Sequence, residues 1–292
     1  MKTLLVPTDF SDNATNAIRY AVALANITSC RLVLVHVMAI QVMTTAESTA
    51  YTSYDPRVQR YHTDKLKAIA HQLQLENAFK FEVGYVCQYG SFHDVLNELA
   101  SNMQADLVVM GARGTTNFLD RAFGTTAATY IKEAVCPVLA VPAAASLSEL
   151  KTIAFAADFS DKNDIFLQQL FQLAESLGAK VCLVQIITKP QVPTVAGNLV
   201  PQDIASRFTD RNFSVAQEKA HSVAAGIKHF VSENKIDILA LAIHEKSFLQ
   251  DLFHRSISKR LALGAHFPLL GLPEKPYWLQ DLQQHESEAV TG

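Results

Sequence analysis

The 292-residue chain lacks several features that mark whole classes of protein. No window approaches the roughly 18 uninterrupted apolar residues of a membrane-spanning helix. The first apolar strand follows directly on Met1-Lys2-Thr3, without the longer apolar stretch and cleavage site of a signal peptide. The four cysteines are scattered, with no CxxC pair, which is typical of buried thiols in a reducing compartment. We therefore expect a cytoplasmic protein that has no membrane partner.

The chain also lacks a basic surplus and the commonest phosphate-binding motifs. Its net charge is −3 and its pI is near 6.4, whereas a nucleic-acid-binding protein needs a clustered basic surface. It has no GxxxxGK[ST] loop and no GxGxxG after the first strand, which argues against a P-loop NTPase or a dehydrogenase. Apolar residues make up 49% of the chain, enough for each of two ordinary domains to bury a core.

What is present is an internal repeat. The tetrapeptide Asp-Phe-Ser-Asp at residues 9–12 recurs 149 positions later, and the same offset aligns residues 32–37 with 181–186. Further along, the offset of matching segments is 131, so the second copy is 18 residues shorter in its middle. We predict two domains at residues 1–142 and 151–274, a linker at 143–150 and a tail at 275–292.

Within each copy, short apolar runs alternate with helical patterns. The first copy has predicted strands at residues 2–6, 31–38, 79–86, 105–110 and 137–141, and predicted helices at 12–28, 57–77, 92–103 and 125–135. The second copy repeats the strands at 151–156, 179–186, 211–216, 236–242 and 267–271. Strands that are apolar on both faces and separated by helices predict an α/β fold with a five-stranded parallel sheet in each copy. Residues 39–55 and 188–200 are predicted to be irregular.

Ligands of parallel α/β sheets bind beyond the carboxyl ends of the strands, where the strand order reverses. Three segments of the first copy end there: Pro7-Thr8-Asp9, His36-Val37, and the run from Met110 to Gly114. The second copy has the corresponding ends, but with different residues in the last segment. We therefore look for a ligand site among these three segments.

The last of these segments opens a long glycine loop. Two residues separate Gly111 from Gly114, and nine residues separate Gly114 from Gly124, which is followed by Thr125 and Thr126 at the predicted start of a helix. Glycines let backbone N–H groups approach an anion, and a helix start adds free N–H donors. Arg113 adds a charged donor. The loop predicts phosphate binding; the alternative is a glycine-rich turn followed by a threonine-capped helix.

These motifs resemble the universal stress protein family in its tandem, two-domain form. The resemblance spans residues 1–274 and rests on the start at residues 6–11, the second strand at 34–37, the glycine loop at 111–125 and the closing strand at 136–141. It implies two tandem Rossmann-like domains of the adenine nucleotide α-hydrolase-like type. It also implies that ATP or AMP, with or without Mg²⁺, binds in a cleft between the first and fourth strands of the first domain.

The resemblance also assigns roles to residues. Asp9 is implied to meet the adenine or ribose, and the backbone of Val37 is implied to face the adenine. The ribose and phosphates are assigned to Gly111, Arg113, Gly114, Gly124, Thr125 and Thr126, with Pro7, Thr8 and Met110 completing the set at the strand ends. An Asx turn that caps the next helix is the alternative role for Asp9, and His36 is predicted to be a packed strand-end histidine.

The second copy departs from this pattern at each critical glycine. Ala242, Glu245 and Arg255 stand where the first copy has Gly111, Gly114 and Gly124, although the counterpart of Asp9, Asp158, remains. We predict no nucleotide there. The second copy is instead predicted to be an internal dimer partner, because the family dimerises and the closing strands of the two copies are natural edges to pair. A further homodimer stays open.

The histidines give little sign of a metal site. The second copy carries His244, His254 and His266 near Glu245, but the spacing is not that of an HExxH motif and no metal site is predicted. His62, His71 and His93 fall on predicted helices, where we expect them to face solvent.

Together these observations predict a stress-response protein that senses adenine nucleotide and regulates an unidentified protein partner. No catalytic residue is predicted, because only Asp9 among the carboxylates is placed with assurance in the cleft. Slow ATP hydrolysis is one alternative. An adenylating enzyme is a second, although residues 6–11 lack the glycines of that class, and a ligand-free interaction module is a third.

Overall fold

The computed structural model describes residues 1–44, 50–112, 124–147, 149–156, 164–188, 208, 210–243 and 267–279. In the first half these residues form β1 (Thr3–Pro7), α1 (Asp12–Thr28), β2 (Arg31–Met38), β3 (Gln41–Thr44), β4 (Ala50–Ser53), α2 (Pro56–Glu76), β5 (Val83–Tyr89), α3 (Phe92–Asn102), β6 (Leu107–Ala112), α4 (Gly124–Glu133) and β7 (Val138–Pro142). In the second half they form β8 (Thr152–Ala156), α5 (Asp164–Leu177), β9 (Lys180–Ile187), β10 (Phe213–Lys219), α6 (Val223–Glu233), β11 (Ile238–Ile243) and β12 (Leu269–Pro273).

The main sheet runs through both halves. Its strand order is β10-β9-β8-β11-β12-β7-β6-β1-β2-β5, so each half contributes five parallel strands in the same relative order. The two groups meet where β7 and β12 pair antiparallel, with Leu139 opposite Leu270. The predicted parallel sheets are thus confirmed, and they join into one.

One carboxylate plays the same structural part in each half. Asp106 Oδ2 accepts hydrogen bonds from the backbone N–H groups of Lys2 and Thr3 at 2.5 and 2.9 Å. Asp237 Oδ2 accepts from the N–H groups of Lys151 and Thr152 at 2.8 and 2.9 Å. Each aspartate sits just before the fourth long strand of its half and secures the start of the first, so the repeat seen in the sequence extends to individual hydrogen bonds.

Helices cover both faces of the sheet. One core cluster lies under α1, α2 and α5, and the other lies under α3, α4 and α6. Each cluster therefore continues from the first half into the second. The junction is reinforced beyond β12, where the N–H of Tyr277 donates to the carbonyl oxygen of Val135 at 2.7 Å.

Two details of the fold differ from the expectation. Residues 39–55, predicted to be irregular, contain the antiparallel pair β3 and β4, in keeping with the β-branched and aromatic residue types at Val42, Thr44 and Tyr51. The strand expected from residue 79 begins at Val83 instead, because Ala78 and Phe79 have positive φ angles of 50° and 56° that prolong the exit from α2. The segment 188–200 lies almost wholly outside the described residues.

Candidate functional site

The strand order of the first half reverses between β1 and β6. The chain leaves β1 through α1 to reach β2 on one side, whereas β6 pairs with the other side of β1. This is the place where open α/β sheets bind ligands beyond the strand ends. The structure brings the segment after β1 and the end of β6 to this crevice. Five predicted site residues are on these two segments: Pro7, Thr8, Asp9, Met110 and Gly111.

The crevice belongs to the face of the sheet covered by α3 and α4. Met110 is only 5% exposed and lies in the core cluster of that face, together with Leu5. Pro7 follows Leu5 by two residues and so lies on the same face, because alternate residues of a strand share a side. Val37 packs half-buried against this cluster. The Met110 side chain is therefore part of the packed floor, and only its backbone can approach a ligand.

The backbone of Val37 faces the space beyond the end of β1. The N–H of Thr8 donates to the carbonyl oxygen of Val35 at 2.8 Å, so Val35 turns its backbone groups toward β1. Val37, two residues further along β2, turns its groups the same way. The paired register of β1 ends at Pro7 opposite Val35, so Val37 extends past it.

A short turn presents Asp9 at the crevice. Asp9 is exposed, and its Oδ1 accepts a hydrogen bond from the N–H of Ser11 at 3.0 Å. The hydroxyl oxygen of buried Thr8 accepts from the N–H of Phe10, also at 3.0 Å. Ser11 caps α1 by accepting from the N–H of Ala14. The Asx turn considered as an alternative is thus present, and it leaves the second carboxylate oxygen of Asp9 outside this particular bond.

The turn holds Phe10 in an unusual backbone conformation. Its φ angle is 64°, in the left-handed region that costs a non-glycine residue about 1 kcal/mol or more. Such a conformation persists only where surrounding contacts enforce it. The turn that carries Asp9 is therefore held by tertiary contacts of Phe10 as well as by the local hydrogen bonds of Thr8 and Asp9.

Gly111 is required by packing as well as by any ligand. A Cβ at this position would lie 2.7 Å from the carbonyl oxygen of Asn13 and 3.2 Å from the backbone nitrogen of Ala14. The first turn of α1 thus passes directly over the end of β6. This close approach explains the glycine without a phosphate, although it does not conflict with one.

The remaining predicted residues lie on or before α4. This helix begins at Gly124, and Thr126 in its first turn is exposed while Ala127 is buried. The helix start turns backbone N–H donors and a partial positive charge outward, which suits an anion. Arg113 and Gly114 lie outside the described residues, as does the side chain of Thr125.

A stack of rings lies on the opposite face of the sheet. His36 Nδ1 is 2.8 Å from the carbonyl oxygen of Thr8, and the His36 ring centroid lies 4.6 Å from that of Phe10. His62, on α2, lies 4.5 Å from His36 and 5.6 Å from Phe10 between centroids. Lys65 Nζ lies 4.1 Å above the Phe10 ring. His36 is packed at its strand end, as predicted.

The expectation that His62 faces solvent is wrong. Its Nδ1 is buried and has no hydrogen-bond partner among the described residues. Burial, with smaller contributions from His36 and Lys65, lowers the pKa of His62. The signal in the sequence was helical spacing, because His62 is four residues before Leu66 and eight before Ala70, the two buried residues of α2. Exposed His71 matches its expectation.

His93 is also less exposed than expected. Its Nδ1 is 2.6 Å from Glu133 Oε2, and its Nε2 is 3.3 Å from Thr129 Oγ1. Nearby, the Asn97 amide donates to the carbonyl oxygen of Glu133 at 2.9 Å. These contacts fasten α3 to the end of α4.

The equivalent crevice of the second half is described only in part. Ala242 is buried at 7% exposure within β11, where the first half has Gly111. Asp158, Glu245 and Arg255 lie outside the described residues, as do the three histidines near Glu245. Within the described ranges there is no group of three or more metal-ligating side chains. The same ranges contain no helix long and apolar enough to cross a membrane.

Comparisons by sequence match about one half of the chain, which corresponds to one copy of the repeat. A model of the universal stress protein family matches residues 1–142. Universal stress protein MJ0577 of Methanocaldococcus jannaschii is 22% identical over 152 residues, which cover 48% of this chain and 94% of that protein. A universal stress protein in complex with cAMP is 23% identical over 48% of this chain and 96% of its own, with a TM-score of 0.36.

Several solved structures match this chain across both halves. The crystal structure of a universal stress protein from Archaeoglobus fulgidus covers 92% of this chain and 97% of its own, with a TM-score of 0.67 at 14% identity. At that identity the likeness concerns the fold, and it includes the second half that the family model leaves out. Residues 1–142 therefore form a domain of the universal stress protein family, by their match to the family model, and the chain is similar in fold to a universal stress protein over 92% of its length.

Proposed function

We propose that the first half binds an adenine nucleotide, ATP or AMP, in the crevice between the ends of β1 and β6. The observation that carries the proposal is the exposed Asp9 carboxylate, held by its turn just beyond β1 where the strand order reverses. A carboxylate suits the hydroxyl or amino donors of an adenosine, and the start of α4 suits its phosphates.

The chemistry of the crevice fits such a ligand from end to end. Asp9 and the backbone of Val37 are assigned to the adenosine, with Pro7, Thr8 and Met110 beneath it. The phosphate end is assigned to Gly111, Arg113, Gly114, Gly124, Thr125 and Thr126. Mg²⁺ would enter with the nucleotide and neutralise phosphate charge. Binding of this kind needs no catalytic residue, so the chain acts as a sensor or regulatory module toward a protein partner.

The second half is proposed to be a scaffold without nucleotide. Ala242 replaces the first glycine of the loop, and the antiparallel pairing of β7 with β12 is the contact expected of an internal dimer. The four free cysteines, three of them buried, fit a reducing compartment, so the cytoplasm is part of the proposal.

The proposal is tested by asking what ligand the protein carries. Freshly purified chain is denatured, and the released small molecules are identified by mass spectrometry. Ligand-stripped protein is then titrated with ATP, AMP and cAMP by calorimetry, with and without Mg²⁺. We expect saturable binding of at least one adenine nucleotide. We also expect the protein to release phosphate from ATP slowly, if at all. Absence of binding by all three would refute the proposal.

A further inference from the structure

The turn that presents Asp9 is anchored at both neighbouring residues, and both anchors lie on the sheet face away from the crevice. Before Asp9, the carbonyl oxygen of Thr8 lies 2.8 Å from His36 Nδ1, and because a carbonyl only accepts, this ring nitrogen carries a proton. After Asp9, the Phe10 ring lies against the rings of His36 and His62. The position of Asp9 therefore depends on two imidazoles.

Helix α2 supplies the outer part of this arrangement. His62 is stacked on Phe10 with an angle of 11° between the ring planes, and Lys65 places its Nζ 4.1 Å above the same ring. Phe10 is thus covered by α2 in the strained conformation with φ of 64°. Moving α2 away would remove the contacts that hold this conformation.

Resting on the nucleotide binding proposed above, we infer that His36 and His62 are positioning residues for the Asp9 turn and make nucleotide binding in the first half sensitive to pH. We call Phe10, His36, His62 and Lys65 the ring latch. With His62 neutral, the latch stays closed and Asp9 stays in place. Protonation of His62 opens the latch and weakens the binding of the nucleotide.

The charges around the latch favour opening on protonation. His36 and His62 have centroids only 4.5 Å apart, so two imidazolium rings would repel each other, and Lys65 adds a third positive charge. Tyr61 also faces His62, and its ring adds no positive charge to the latch. On the β5 side, Cys87 pairs in register with His36, and burial raises the pKa of its thiol, so it stays neutral.

Two carboxylates are adjacent in sequence to latch residues, Asp9 before Phe10 and Asp64 before Lys65. Neither is among the causes of the lowered pKa of His62, which are burial, His36 and Lys65. Asp9 follows Thr8 in a turn where its Oδ1 accepts from the N–H of Ser11. Protonation of His62 therefore adds positive charge on the side of the turn where Phe10 is packed.

The direction of the pH effect follows from the lowered pKa of His62. The closed latch binds fewer protons than an open one, so its stability is present above the ordinary histidine pKa of about 6.5 and is lost as the pH falls below it. Each unit by which the latch depresses an imidazole pKa can weaken nucleotide binding by at most about tenfold.

The test replaces both imidazole rings while keeping their contacts. His36→Asn retains an amide donor for the Thr8 carbonyl, and His62→Phe retains a ring on Phe10. His71→Gln removes an exposed histidine of the same helix and is the matched control. The ionisation of the nucleotide itself is the same for all variants, so it cannot cause a difference between them. Kd for ATP and the thermal unfolding midpoint are measured on the full chain at about pH 7.5 and about pH 5.5, either side of the histidine pKa.

We expect wild type and His71→Gln to lose several-fold in affinity and to fall in Tm between the two pH values. At the higher pH, the His36→Asn/His62→Phe variant should bind ATP about as well as wild type. Between the two pH values, its affinity for ATP and its Tm should fall clearly less than those of wild type. A wild type that binds equally at both pH values would overturn the inference alone, as would a double variant with the wild-type pH dependence. Absence of binding at either pH would overturn the proposed function and, with it, the inference.

Discussion

A methyl group at Gly111 has no room, because the carbonyl oxygen of Asn13 would lie 2.7 Å from it. We expect Gly111→Ala to lower the free energy of unfolding by about 1–3 kcal/mol, the usual cost of forcing an atom into a packed site. Urea unfolding measures the change. Gly84→Ala is the control, since its Cβ would meet the flexible end of Arg31 at 3.2 Å and Val33 at the ordinary contact distance of 3.7 Å. Equal midpoints for Gly111→Ala and wild type would contradict this reading.

Gly111 is for the same reason a poor probe of ligand contact, and Asp9 is a better one. Asp9 is exposed, and Asp9→Asn keeps an oxygen that can accept from the N–H of Ser11. Charged hydrogen bonds contribute about 1.5–3 kcal/mol, so we expect Asp9→Ala to weaken ATP binding by about ten- to a hundredfold and Asp9→Asn by less. Calorimetry gives both affinities. Asp158→Ala should bind like wild type; wild-type affinity in Asp9→Ala would exclude the assigned contact.

At the scale of elements, the junction between the halves depends on a close contact between β12 and α4. A Cβ at Gly271 would lie 2.8 Å from Cγ2 of Ile131. We expect Gly271→Ala to destabilise the protein and Ile131→Leu to relieve part of that cost, because leucine has no branch at Cβ. A double-mutant cycle by urea unfolding should give a favourable coupling of about 0.5 kcal/mol or more. Additive effects would show that the two residues do not clash.

The elements also show what the sequence could predict. The apolar runs predicted all ten strands of the main sheet. Burial on both faces leaves a continuous apolar pattern in the central strands, whereas the edge strands β5 and β10 are only partly buried. The predicted start of β5 was four residues early, because Ala78 and Phe79 adopt left-handed conformations that apolar composition does not encode. The β3–β4 pair was missed because its polar residues have no apolar periodicity.

The candidate site was predictable to a similar degree. Because Asp9 and Gly111 lie at the carboxyl ends of parallel strands, the predicted topology alone placed them at the same end of the sheet. The contact of Gly111 with Asn13 and the seat of His62 on Phe10 depend on how helices lie over the sheet. Neither of these contacts can be predicted from spacing within one element. The spacing of His62 from the buried residues Leu66 and Ala70 of α2 could predict only that His62 is buried, and not what it contacts.

At the scale of the whole molecule, the two halves share one sheet and its cores, but they differ in the residues at the ends of their equivalent strands. The core clusters on both faces of the sheet run from one half into the other, and β7 pairs with β12 at the centre. The first half carries Asp9 beside a glycine-containing strand end, whereas the second has buried Ala242 in the equivalent strand. The halves thus share structure, and the nucleotide is assigned to only one.

The number of nucleotides bound per chain tests this division most directly. Equilibrium dialysis of radiolabelled ATP against the full chain gives that number for wild type, for Gly114→Glu and for Gln168→Glu. The last adds the same charge in the second half, at an exposed position of α5. We predict one nucleotide per chain for wild type and Gln168→Glu, and none for Gly114→Glu. Two nucleotides per chain, or one that survives Gly114→Glu, would contradict the account.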